Sequence, residues 1–278
     1  MKQLPISPYL PSIAESLVAH DVLILQAEPG AGKSTAVPLY LLNALKQHAD
    51  GKILMLEPRR LAAKSIAQFL AKQLNEKVGE TVGYQIRNER KVCGNTRLEI
   101  ITEGVLSNRI QNDPELSDVS LVIFDEFHER SIHADFGLTL CKDIRTAYNE
   151  SLKILVMSAT MNTQKLSQFL DDAPIIESEG RCFPVSTHYL TRPVSSQNTK
   201  DWLPELNKLV IKALQETEGD VLVFLPGLGE IKKSLATLTH QLDLQKTIVL
   251  PLYGALKQEQ QQTALQVDSL GRQKVVLT

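Results

Sequence analysis

One stretch constrains this chain more than any other: Gln26-Ala27-Glu28-Pro29-Gly30-Ala31-Gly32-Lys33-Ser34-Thr35. It follows the apolar run Val22–Leu25 and precedes an apolar-periodic segment from Ala36 to about Leu45. Strand, glycine loop and helix in that order predict a phosphate site. Gly30 and Gly32 allow backbone conformations closed to other residues, so the N–H groups of Ala31 and its neighbours can turn toward one anion. The helix that starts beyond them adds the positive end of its dipole. On this reading Lys33 reaches the β/γ-phosphates and Ser34 offers a hydroxyl to Mg²⁺, with Thr35 completing the loop. Ala27 stands where the eight-residue pattern has its first glycine.

Short apolar runs recur along the 278 residues, from Val22–Leu25, Ile53–Leu56 and Leu98–Ile101 to Leu121–Phe124, Ile154–Met157 and Ile175–Ile176. Beyond these come Val221–Leu225, Ile248–Leu250 and Val275–Leu277. Between them lie helix-length segments such as Leu61–Leu74, Asp135–Arg145 and Glu230–Leu242. That alternation predicts an α/β chain with a largely parallel sheet covered on both faces. Ligands of such sheets bind at the carboxyl ends of the strands. A polar, breaker-rich stretch between about Gly180 and Asp201 reads as the connection between two α/β units, 1–180 and 181–278. A long surface loop within one sheet is the other reading. The chain then stops on Lys274-Val275-Val276-Leu277-Thr278, a strand with nothing after it, so the second unit is expected to be incomplete.

Composition narrows the partners. A formal net charge of −2 means that any nucleic-acid surface must be a local groove. Cys93, Cys141 and Cys182 form no CxxC pair, which disfavours a disulfide framework or a thiolate zinc site. The N-terminus lacks a secretory core, and no apolar run approaches the ~18–20 residues that cross a bilayer. The expectation is a cytoplasmic protein with no membrane partner.

Four further motifs end predicted strands. Asp125-Glu126 closes Leu121–Phe124, where a P-loop enzyme keeps its second magnesium-holding acid. Asp125 can hold Mg²⁺ through its water shell, and Glu126 is placed to orient and deprotonate an attacking water. His128-Glu129 fails as a zinc-protease motif, because Ile132 occupies the second histidine position. Arg59 and Arg60 follow Ile53–Leu56; they suit a phosphate backbone, or equally a bridge to surface carboxylates. Thr102-Glu103-Gly104 offers a backbone anion site of the same kind. Ser158-Ala159-Thr160 ends Ile154–Met157 and either links the acids to a neighbouring domain or caps a helix. Phe224-Leu225-Pro226-Gly227 closes a strand of the second unit.

In this order and spacing the chain resembles the DEAH/RHA group of superfamily 2 helicases, and within it a bacterial type. Gly30-Ala31-Gly32-Lys33-Ser34 looks like motif I, Pro58-Arg59-Arg60 like Ia and Thr102-Glu103-Gly104 like Ib. Asp125–Ser131 looks like motif II, Ser158-Ala159-Thr160 like III and Phe224–Gly227 like IV. The resemblance implies P-loop NTPase architecture: a RecA-like parallel sheet covered by helices, followed by a second, incomplete RecA-like domain. It implies ATP and Mg²⁺ as cofactors and translocation on single-stranded nucleic acid, usually RNA and typically 3′ to 5′. Lys33, Ser34, Asp125 and Glu126 then carry the nucleotide and metal chemistry. His128, Ser158 and Thr160 couple hydrolysis to domain movement, and Arg59, Arg60, Thr102 and Gly104 contact nucleic acid. The readings left standing beside an RNA helicase are a DNA helicase and a nucleotide-dependent binding module that does not unwind.

Three departures from the group's pattern stand out. Phe127 replaces the usual alanine of motif II, Phe69 stands where many relatives carry a base-stacking arginine, and the chain stops where motif V should begin, with no motif VI arginines. Those arginines stabilise the transition state, so this chain is expected to bind nucleotide and hydrolyse it poorly.

Overall fold

The computed structural model describes residues 4–45, 51–159, 163–178, 184–191, 194–195 and 198–278. Thr160, His48 and Cys182 therefore lie outside the described residues, as do several positions of the expected 180–201 connection. The chain divides into two compact units, Met1–Pro184 and Val185–Thr278.

The first unit opens with α1 (Leu10–His20), β1 (Val22–Ala27), α2 (Lys33–Ala44), β2 (Lys52–Leu56) and α3 (Arg60–Gln73). It continues with β3 (Val82–Ile86), β4 (Glu89–Lys91), β5 (Leu98–Ile101), α4 (Glu103–Asn112) and β6 (Val119–Phe124). It closes with α5 (Ile132–Ala147), β7 (Lys153–Ser158), α6 (Thr163–Phe169) and β8 (Ile175–Ser178). The eight strands lie in the order β4-β3-β5-β2-β6-β7-β1-β8. Every pairing is parallel except the β3–β4 hairpin.

Alternation along each strand feeds two cores. Leu23 and Leu25 of β1 pack with Met55, Ile123 and Leu155 beneath the α1, α2 and α3 residues Leu17, Leu41 and Leu70. Val22 and Ile24 point the other way, joining Leu54, Val122, Phe124 and Val156 under Leu106, Leu138 and Leu166. Strands buried on both faces read as continuous apolar runs, which is why they were visible in the sequence. Opposite the functional edge, Asp21 sits in a left-handed turn (φ 62°) and receives Lys153 and Arg145. These two cations hold the Asp21 carboxyl below its ordinary range against the opposing effect of its burial.

The second unit holds α7 (Thr199–Glu216), β9 (Val221–Val223), α8 (Leu228–Gln241), β10 (Thr247–Pro251), α9 (Gln258–Leu265) and β11 (Gln273–Leu277). Its three parallel strands run β10-β11-β9. Val223, Val249, Val275 and Leu277 pack against Val210, Ile231 and Leu238. The buried Ser234 hydroxyl donates to Asn207 Oδ1 at 2.7 Å, tying α8 to α7 where an unpaired polar group would be costly.

Candidate functional site

Five loops leave the carboxyl ends of β1, β2, β5, β6 and β7 on one edge of the large sheet. The loop after β1 has Gly30 at φ 77° and Gly32 at φ 101°, both in the left-handed region that favours glycine. Helix α2 begins at Lys33, and the amides of Thr35 and Ala36 close on Gly32 O. Pro38 lies inside α2 and, having no N–H, cannot donate to Ser34 O. The Lys33 side chain is only 4% exposed. Its ammonium folds back onto the loop, donating to Ala27 O at 2.5 Å and Glu28 O at 3.1 Å. Burial lowers its pKa, while Glu126 and Asp125 pull it back up. A buried cation held by carbonyls alone is ready to exchange them for a stronger acceptor.

Strand β6 is buried throughout and delivers Asp125, 4% exposed, to the same edge. Asp125 Oδ1 accepts the Glu126 amide at 2.9 Å, whereas Oδ2 is buried without a partner among the described residues. Burial pushes the carboxyl up to about 6; Glu126 adds to the rise, and the Ser34 hydroxyl, the Glu126 amide and Lys33 oppose it. Glu126 itself is left-handed at φ 49°, ψ 35°. A non-glycine residue in that region stores backbone strain, as active-site residues commonly do.

Glu57, at the end of β2, contributes a carboxylate to the same edge. It is 3% exposed and accepts the Arg59 amide at 3.2 Å. Burial drives its pKa up to about 7, with Asp125, Glu126 and Glu129 adding to the rise and the Arg59 amide opposing it. Glu57 belongs to none of the motifs read from the sequence. Its position between a buried strand and a helix was the signal, since Asp125 stands at the same kind of position.

Among the described residues no group of three or more His, Cys, Asp and Glu side chains is arranged to hold a metal ion. The donors present at this edge are hard oxygens: the orphaned Oδ2 of Asp125 and the hydroxyl of Ser34. They fit Mg²⁺, which takes one or two protein ligands and completes its shell with water and phosphate oxygen. They do not fit zinc.

His128 bridges two motifs. Its Nδ1 accepts the Ala159 amide at 3.4 Å and its Nε2 lies 3.4 Å from Glu126 Oε2. That arrangement puts the ring proton on Nε2, facing the carboxylate. Ser158 Oγ is buried beside it with no partner among the described residues. Phe127 is 3% exposed and meets the Phe124 ring edge-on at 6.1 Å, with the Arg130 guanidinium 5.6 Å from its centroid. The ring thus fills the core beneath the acids.

The two arginines after β2 part company. Arg59 pairs with Glu129 at 2.8 Å, the carboxylate bridge left open in the sequence reading. Arg60 instead lines a groove of about 390 Å³ with Thr102, Gly104, Arg87, Asn108 and His133. Arg87 was missed: it sits in the two-residue turn of the β3–β4 hairpin, whose polar edge strand left no hydrophobic signal. Phe69 is 46% exposed on α3.

Known proteins similar to this chain are helicases. The DEAD/DEAH box helicase family model matches residues 10–169. The chain is 45% identical over 277 residues to ATP-dependent RNA helicase HrpB of Escherichia coli K12, covering all of this chain and 33% of that protein. It is 34% identical over 277 residues to ATP-dependent RNA helicase HrpA of Borreliella burgdorferi, covering 99% of this chain and 33% of the relative. The crystal structure of Escherichia coli DEAH/RHA helicase HrpB superposes with a TM-score of 0.89 at 44% identity, over 99% of this chain and 34% of that one. The chain spans about a third of the length of these relatives.

Proposed function

Since the chain belongs to the DEAD/DEAH box helicase family, we propose that it is the nucleotide-binding part of an ATP-dependent helicase acting on single-stranded nucleic acid, RNA in particular. One observation carries the reading: the buried Lys33, the Ser34 hydroxyl and an Asp125 Oδ2 with no partner among the described residues converge beside a loop with two left-handed glycines. Lys33 exchanges the Ala27 and Glu28 carbonyls for phosphate oxygens. The amides of Gly30 to Thr35 cradle the phosphates, those of Ala31 and Thr35 by releasing Glu28 O and Gly32 O, and Ser34 and Asp125 would hold Mg²⁺. When bound, the metal neutralises charge that develops on the phosphates.

Glu126 accepts the proton of the attacking water. His128 holds Glu126 to the Ala159 amide, so a shift of the Ser158–Thr160 segment moves the base, and a change at the base moves that segment. Arg60, Thr102 and Gly104, joined by Arg87, grip the nucleic-acid backbone, and Arg59 reaches the same backbone by releasing an exposed ion pair worth ~1 kcal/mol or less. The parallel sheet of the second unit supports its assignment as a second RecA-like unit.

ATP hydrolysis by this chain, with and without single-stranded RNA and beside Glu126→Gln, tests the reading. Nucleotide binding with slow turnover that Glu126→Gln removes is the expected result. Binding with no turnover under any condition favours the binding-module reading, and stimulation by DNA over RNA favours a DNA helicase.

A further inference from the structure

We propose that the segment Leu4-Pro5-Ile6 is a strap that holds the phosphate loop in its binding shape, with Leu4 and Ile6 as positioning residues that set nucleotide affinity. The inference deepens the reading of the nucleotide site and rests on it.

Three contacts carry it. A Cβ placed on Gly32 would stand 2.9 Å from Leu4 Cδ1, 3.2 Å from Ile6 Cγ2 and 3.3 Å from Leu4 Cβ. The strap therefore lies directly against the loop and fills the space a side chain would need. The Ile6 amide donates to Ala31 O at 3.1 Å. A trans peptide sends its N–H opposite to its carbonyl, so pinning Ala31 O toward the strap aims the Gly32 N–H away from it. Ile6 is fully buried and Ala31 2% exposed, in the same core as Leu17 and Leu41.

The strap is itself stiff. Ser7 N–H closes on Leu4 O and Tyr9 N–H on Ile6 O, and Pro5 and Pro8 fix their own backbone angles. It runs through the 3-10 turn Ser7–Tyr9 into α1, which is anchored by Ile13 and Leu17. Gly30, by contrast, has nothing within 4 Å of the same position. The loop thus has one supported half and one open half. Without the strap the Ala31–Gly32 peptide is free to turn, and ordering it becomes a cost of binding. The amides would still be present, but no longer preorganised.

The test titrates a fluorescent ATP analogue with Mg²⁺ into the 278-residue chain and into Leu4→Ala, Ile6→Ala, Ile6→Val and Lys33→Ala, with thermal melting and single-stranded RNA binding run alongside. Leu4 is partly exposed, so its truncation leaves the fold intact even if Ile6→Ala does not. The expected result is on the order of ten-fold weaker nucleotide binding for Leu4→Ala and Ile6→Ala. Ile6→Val should stay within about two-fold of the unchanged chain, and RNA affinity should not move. Nucleotide affinity equal to that of the unchanged chain in Leu4→Ala overturns the strap, as does a loss that only tracks the unfolded fraction. If Lys33→Ala also binds as the unchanged chain does, the nucleotide site itself is misread; if Lys33→Ala alone loses binding, only the strap is.

Discussion

Replacing Glu57 with glutamine should stabilise the chain, and only above mildly acidic pH. Glu57 is 3% exposed and ends a strand beside Asp125, with Glu126 and Glu129 also within electrostatic reach. Its pKa rises from an ordinary 4.5 to about 7, chiefly through burial. A raised carboxyl contributes stability that is fully present below the unfolded pKa and is lost as pH climbs through the folded one. Between 4.5 and about 7 the folded chain thus sheds about 3 kcal/mol, at 1.36 kcal/mol per pH unit. Glutamine keeps the shape and an oxygen for the Arg59 amide, but carries no charge to bury. Urea unfolding of both chains at pH 4.5, 6 and 8 measures the difference. Glu57→Gln should match the unchanged chain at pH 4.5 and exceed it by about 2–3 kcal/mol at pH 8. An equal difference at all three pH values would refute the argument, because a packing effect has no such dependence.

Five other substitutions have definite expected outcomes. Asp21→Asn leaves the largely buried Lys153 without its carboxylate; it should cost about 1–2 kcal/mol at pH 7 by urea unfolding, less as acid protonates Asp21 in the unchanged chain. Gly83→Ala sets a Cβ 2.3 Å from Lys91 O, so amide exchange across the β3–β4 hairpin should quicken and RNA binding through Arg87 weaken. Arg60→Ala and Arg87→Ala should each lower the slope of log affinity for single-stranded RNA against log salt by about 0.7, while nucleotide binding stays unchanged. Leu155→Ala, in a central strand and fully buried, should cost about 3–5 kcal/mol in the first unit, read as an earlier urea midpoint.

Much of the first unit was legible because its central strands are apolar on both faces and stop at chemically distinctive residues. Val22–Leu25, Leu121–Phe124 and Ile154–Met157 fall inside β1, β6 and β7, and the motifs follow directly after them. Edges and ends were not legible. β4 is Glu-Arg-Lys, a charged edge strand that no hydrophobic pattern reveals. Helix α7 starts at Thr199 and runs through Pro204, a residue that reads as a helix start because its missing N–H costs nothing there. Leu4 to Ile6 carried no motif, so only the close approach to Gly32 exposes them. The pairing of Arg59 with Glu129 joins residues 70 positions apart, which local sequence cannot report.

The most direct test of the nucleotide site is a titration of ATP with Mg²⁺ into the unchanged chain, Lys33→Ala and Asp125→Asn. The account requires saturable binding by the unchanged chain, its loss in Lys33→Ala, and in Asp125→Asn the loss of only the magnesium-dependent part. Equal affinities across the three, with or without the metal, would contradict it.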